Sequence, residues 1–143
     1  VSYVNAPQVA EEQGIEVRHT TTVTAREFVN LITISGGGHS VSGTLVGLRS
    51  DPRLVGVDGH TVDVPPSPHM VFVRNDDRPG VIGRVGTIVG DAGVNIADMD
   101  VGRSEEASSA LMVIATSQAV TAEVADALRA AEGVTSVAVV DRA

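Results

Sequence analysis

Val64-Pro65-Pro66-Ser67-Pro68-His69 places three prolines within four residues near the middle of a 143-residue chain. Proline fixes φ and removes a backbone donor, so neither a helix nor a central strand can run through this segment. It divides the chain into 1–64 and 69–143, with 65–68 expected to act as a short stiff linker. Each part has about 70 residues, a size at which a single core is marginal. A disulfide cannot compensate, because there is no cysteine; thiolate nucleophiles and iron–sulfur clusters are excluded with it. Association with other domains or subunits is the expected stabiliser.

Apolar residues make up 43% of the chain, enough for a packed core, yet Tyr3, Phe28 and Phe72 are its only aromatics. The core is therefore built from Val, Ile, Leu and Ala, and the β-branched share favours strands. All ten cations are arginines. The lack of lysine excludes a Schiff base, a pyridoxal-phosphate anchor and a P-loop. A net charge of −8 opposes binding to a phosphate backbone, and aromatics for base stacking are missing. No apolar run approaches the ~20 residues of a membrane span, and no signal peptide is visible. With no cysteine, a reducing cytoplasm is the expected location. The start, Val-Ser-Tyr-Val-Asn without an initiator Met, is expected of a piece of a longer protein.

In the first part, Asn5-Ala6-Pro7 and the stop at Gly14 predict a short helix over 6–13. Alternation of Ile15 and Val17 with Glu16 and Arg18 predicts a strand over 15–23. A second strand, over 28–34, is closed by Ser35-Gly36-Gly37-Gly38, whose glycines permit a hairpin turn. Strands over 41–48, 54–57 and 61–64, the last two around Asp58-Gly59, complete a mainly antiparallel unit.

The second part has a different rhythm. A buried strand over 69–74 leads through Asn75-Asp76-Asp77-Arg78-Pro79-Gly80 into a helix. Its Val81, Ile82, Val85, Ile88, Val89 and Ala92 share one face, and Gly93 ends it. Strict alternation over 94–101 and a further strand over 108–116 flank a turn at Ser104-Glu105-Glu106. Thr121 caps a second helix with Val124, Ala127, Leu128 and Ala131 on one face; Gly133 stops it before a last strand over 134–140. The order βαββαβ predicts an α+β fold: a ferredoxin-like unit, with two helices on one face of a four-stranded antiparallel sheet, after a mainly antiparallel first domain.

The turn at 75–80 is the best candidate for chemistry. Amides of a helix's first turn and the positive end of its dipole suit a carboxylate, and a neighbouring Asp suits an ammonium. One pocket with both would select an α-amino acid. Asn95, expected at the same end of the sheet, could donate and accept. The commoner meaning of this pattern is structural, with Asp77 capping the helix and Pro79 starting it. Gly83, Gly86 and Gly90 are expected to form a smooth face packed on the sheet. Asp98 and Asp100 share a face that is more simply solvent-exposed than catalytic. His19, His39, His60 and His69 show no metal-ligand spacing, and His60, Arg49 and Arg53 are expected on a hairpin surface. Neither Gly36-Gly37-Gly38 nor the glycines after Pro79 form a dinucleotide fingerprint.

Arg74-Asn75-Asp76-Asp77-Arg78-Pro79-Gly80-Val81-Ile82 followed by Asp91-Ala92-Gly93-Val94-Asn95-Ile96-Ala97 resembles an ACT domain, a small ferredoxin-like module that binds amino acids and regulates metabolic enzymes. Tyr3-Val4-Asn5-Ala6-Pro7, Gly14-Ile15-Glu16-Val17, Gly43-Thr44-Leu45-Val46 and Pro52-Arg53-Leu54-Val55-Gly56-Val57-Asp58-Gly59 resemble the far C-terminal part of D-3-phosphoglycerate dehydrogenases of the long form. There, an intervening domain precedes the ACT domain. The resemblance implies an intervening domain at 1–64, an ACT domain at 69–143, and substrate- and NAD-binding domains lying before residue 1. It implies a non-catalytic fragment with no cofactor of its own, pairing through ACT domains as a dimer or tetramer. The implied effector is L-serine or another small amino acid. Asn75, Asp77 and the amides near Gly80, Val81 and Ile82 would hold it, with the residue matching Asn95 supplied by the partner subunit. Position 75 is commonly His or Tyr in that family, and 61–66 has no cation to match the anion site of some members. The small subunit of bacterial L-serine dehydratases has a similar layout, and a purely structural oligomerisation module is a further alternative.

Overall fold

The structure, a computed structural model, describes residues 2, 4–20, 28, 30–103 and 109–142. The first part contains helix α1 (Ala6–Glu12) and strands β1 (Leu31–Gly36), β2 (His39–Val46), β3 (Asp51–Val57) and β4 (His60–Val64). These strands form a meander in the order β1-β2-β3-β4. Gly37 and Gly38 take φ of 59° and 81° at the first hairpin, and Asp58 and Gly59 take 48° and 77° at the last. Positive φ at two successive positions is the geometry that Gly and Asp accept in tight hairpins.

The second part runs β5 (His69–Asp76), α2 (Val81–Asp91), β6 (Ile96–Arg103), β7 (Ser109–Thr116), α3 (Ala122–Ala130) and β8 (Val134–Asp141). Its sheet order is β6-β7-β5-β8, with every neighbouring pair antiparallel. This is the expected ferredoxin-like βαββαβ unit. Gly93 stops α2 with φ of 71°, whereas α3 ends at Ala130 through an extended Ala131, before Gly133 at φ 88° turns the chain into β8; the Thr121 hydroxyl accepts the Val124 amide at the start of α3.

Several expectations change. No strand forms over 15–20, where the backbone has no regular structure, and 21–23 lies outside the described residues. The strand expected over 28–34 begins only at Leu31, and the turn at 104–106 lies outside the described residues. Gly83 and Gly90 are exposed, and a Cβ at any of Gly83, Gly86 or Gly90 would meet nothing within 4 Å. The packed face of α2 belongs instead to Val81, Val85 and Val89, because that is the i, i+4, i+8 row aimed at the sheet.

The proline segment is a corner, not a spacer. The ferredoxin-like sheet buries both faces. On one, Val71, Val73, Met112 and Ile114 pack with the valines of α2 and with Leu128 of α3. On the other, Met70, Leu111, Val113 and Ala115 pack with Val57, Val62 and Val64 of β3 and β4. Val64 before the prolines and Met70 after them thus enter one shared core. Approach is close enough that a Cβ on Gly102 of β6 would stand 2.5 Å from the Thr61 carbonyl oxygen. Burying each such aliphatic side chain is worth roughly 1.5–3 kcal/mol, so the two sheets stabilise one another.

Candidate functional site

Along β5 the odd-numbered side chains face the helices, and Asn75 is the last of them. It is only 2% exposed. Its Nδ2 donates to the Asp76 carbonyl at 2.7 Å, while Oδ1 has no partner. A β-bulge against β8 falls between Arg74 and Asn75. Beyond it the turn is pinned: the Asp76 amide donates to Gly133 O and the Arg78 amide to Asp76 O, both at 2.8 Å. The Arg78 guanidinium also donates to the Asp76 carboxylate at 2.9 Å. The chain then enters α2 through Gly80 at φ 89°, with no side-chain cap.

This arrangement overturns the commoner structural reading of the motif. Pro79 precedes the helix instead of starting it, and Gly80, not Asp77, occupies the capping position. The uncapped amides of Val81 and Ile82 are first-turn donors of the kind that bind carboxylates. Asp77 lies exposed beside them. A buried acceptor without a partner costs about 1–3 kcal/mol, and the Asn75 oxygen would be satisfied by an ammonium or hydroxyl donor.

Asn95 does not share this end of the sheet within one protomer. β5 and β6 both pair antiparallel with β7, so they run parallel to one another. Asn75 is level with Ala110, whereas the Asn95 carbonyl accepts the Ser117 amide. Seven strand residues separate those levels, about 24 Å. The physical reason is the crossover: α2 carries the backbone back along the sheet before β6 begins.

Other singled-out residues also move. Asp98 and Asp100 are half-buried, not solvated, and Asp100 Oδ2 accepts the Asp63 amide at 2.7 Å. Arg53 donates to the Asp63 carboxylate at 2.6 Å, and Asp63, Asp98 and Asp100 together hold its guanidinium in the charged form. His60 is 5% exposed, with Nδ1 on the Asp58 carbonyl at 3.1 Å and Nε2 without a partner. No group of three or more potential metal ligands assembles among the described residues, and no helix among them is long and apolar enough to cross a membrane.

One cluster was not anticipated. Asp58, at the β3–β4 turn, accepts the Ser40 amide at 2.6 Å and His39 Nδ1 at 2.9 Å, and pairs with the Arg74 guanidinium. Burial pushes its carboxyl pKa up, but the His39, Ser40 and Arg74 hydrogen bonds together outweigh this and hold it below the ordinary value. The available signal was Arg74 itself, a cation directly after the four apolar residues Met70–Val73 of β5.

The ferredoxin-like unit with its glycine-entered helix turn is an ACT domain, as the ACT domain family matches residues 69–133. The D-3-phosphoglycerate dehydrogenase intervening domain matches residues 1–58. Among similar proteins, a D-3-phosphoglycerate dehydrogenase of Synechocystis is 36% identical over 118 residues, 80% of this chain and 21% of that protein. One of Methanocaldococcus jannaschii is 32% identical over 143 residues, 99% of this chain and 27% of that protein. One of Mycobacterium tuberculosis H37Rv is 30% identical over 146 residues, 99% of this chain and 28% of that protein. The chain thus spans about a quarter of the length of the curated relatives it matches. It joins an intervening domain of the D-3-phosphoglycerate dehydrogenase type to an ACT domain, and matches the C-terminal regulatory region of those dehydrogenases.

Proposed function

We propose that this chain senses L-serine at an interface between two ACT domains and thereby regulates a D-3-phosphoglycerate dehydrogenase of serine biosynthesis. ACT domains generally bind amino acids and pair with each other. The observation that carries the reading is the buried Asn75 oxygen without a partner, set beside the uncapped first turn of α2. In this reading the amides near Gly80, Val81 and Ile82 take the serine carboxylate. Asp77 takes the ammonium, and Asn75 accepts from the ammonium or hydroxyl.

β6 is an edge strand. A two-fold pairing across that edge reverses strand direction and brings the second copy's Asn95 to the Asn75 end, which one protomer alone cannot do. A ligand held by both copies stabilises their pairing, and ~1–3 kcal/mol of coupling suffices for feedback control. The role is non-catalytic and cytoplasmic. The reading assigns these residues no role toward NAD. Hydride chemistry on that cofactor belongs to the dehydrogenase domains outside this chain.

The test is calorimetric titration with L-serine, with D-serine and glycine as controls, alongside sedimentation. Stereoselective binding and a tighter dimer are expected, with the tightening lost in Asp77→Ala and Asn95→Ala. Serine binding unchanged in both variants would overturn the site. No heat with any amino acid would leave an oligomerisation module.

A further inference from the structure

On the side of the sheet away from the helices, β2 and β3 overhang β5 and β8 and bound a half-open cleft of about 420 Å³. That is within the ~300–1,000 Å³ usual for small-molecule sites. Strand register orders its floor. Arg74 lies beside Ser136 and Phe72 beside Ala138, with Val140 next along β8. Val41 and Val57 line the overhanging wall. The cleft is therefore polarised: charged and hydroxyl groups stand at the Arg74 end, and only hydrocarbon lines it toward Val140. The two ends are four strand residues apart, about 14 Å.

The polar end is built and has capacity to spare. Asp58 holds His39 and Arg74 in place and uses its other oxygen on the Ser40 amide. Arg74 spends one guanidinium nitrogen on Asp58, and its other N–H donors have no partner among the described residues, nor does His39 Nε2. A second carboxylate here would meet the open guanidinium donors of Arg74 and the Ser136 hydroxyl. We propose that this cleft binds a medium-chain organic carboxylate, its head on Arg74 and Ser136 and its hydrocarbon along Phe72, Ala138 and Val140. The site is separate from the serine site, because Arg74 and Asn75 are consecutive and face opposite sides of the sheet.

The experiment is an NMR titration of the ¹⁵N-labelled protein with octanoate, octan-1-ol and octylammonium. Octanoate should give saturable shifts at Arg74, Ser136, Ala138 and Val140. The alcohol and the cation should bind about tenfold more weakly or worse, the share of one charge-assisted hydrogen bond. Ala138→Trp fills the floor from an exposed edge strand and should abolish octanoate binding while leaving the α2 turn unperturbed. Arg74→Gln should weaken octanoate to the level of the alcohol. If that variant unfolds, Arg74→Lys, which keeps the pairing with Asp58, should weaken it in the same direction. Equal affinity for octanoate and octanol, or unchanged binding in Ala138→Trp, would overturn the proposal. So would ligand-free, concentration-dependent shifts at these residues, which would show a second copy seated in the cleft.

Discussion

β1 and β7 are both aliphatic strands, yet Ile32 and Ile34 of β1 are 72% and 74% exposed while Met112 and Ile114 of β7 are fully buried. Isoleucine stands in both, so coverage is what separates these side chains. β7 has β5 and β6 at its two edges, helices over one face and β3–β4 over the other. Among the described residues, β1 pairs with β2 alone and ends its sheet. Burial of a strand is thus decided by what other segments lay over it, and apolar content states only what could be covered. The exposed β1 hairpin adds little to the stability of this protein, whereas β7 is the element on which both packed faces depend.

The contrast can be broken most directly by truncation. Ile114→Ala should cost ~2–5 kcal/mol, and Ile34→Ala less than about 0.5 kcal/mol, read from denaturant midpoints. Comparable losses at both positions would show that β1 is packed as heavily as β7. Next in size is Gly102→Val. Its side chain would collide with the Thr61 carbonyl and with Val62, an overpacking cost of ~1–3 kcal/mol. Amide exchange should quicken in β4 before α2, because only the sheet-on-sheet face is wedged. An unaltered midpoint would mean that β4 gives way freely.

The smallest effect lies at Asp58, where the β3–β4 turn is tied to β5. Its folded pKa is depressed below the ordinary 3.8. Its stabilisation is therefore fully present above that value and fades as the pH falls through the lower folded one. Asp58→Asn should flatten the acid limb of the stability profile below pH 3.8. An acid limb parallel to that of the unsubstituted protein would show that this carboxylate contributes no linkage.

Much of the ferredoxin-like unit was legible. Val81, Val85 and Val89 announce α2 by spacing, Gly93 marks its stop, Gly133 marks the turn that follows α3, and Thr121 marks a start. The alternation over 94–101 gives β6 to within a few residues. The second layer over the sheet was not legible, because alternation reports that two faces differ, not what each will meet. Asp98 and Asp100 therefore looked solvated, although β4 lies against them, and His60 looked superficial although it is buried. The wrong end for Asn95 has another source. A helix joining parallel strands returns the backbone to the opposite end of the sheet, a topological fact that residue types do not carry. The turn at 75–80 was found by motif, but Gly80 as the capping residue depends on its φ, which no local pattern fixed.

β7 inserts Met112 and Ile114 into one core and Leu111 and Val113 into the other. Those four residues are consecutive, so neither core can release β7 without opening the other. The segments packed on β7 from the two sequence modules are therefore expected to unfold together, in one transition that the β1 hairpin does not govern.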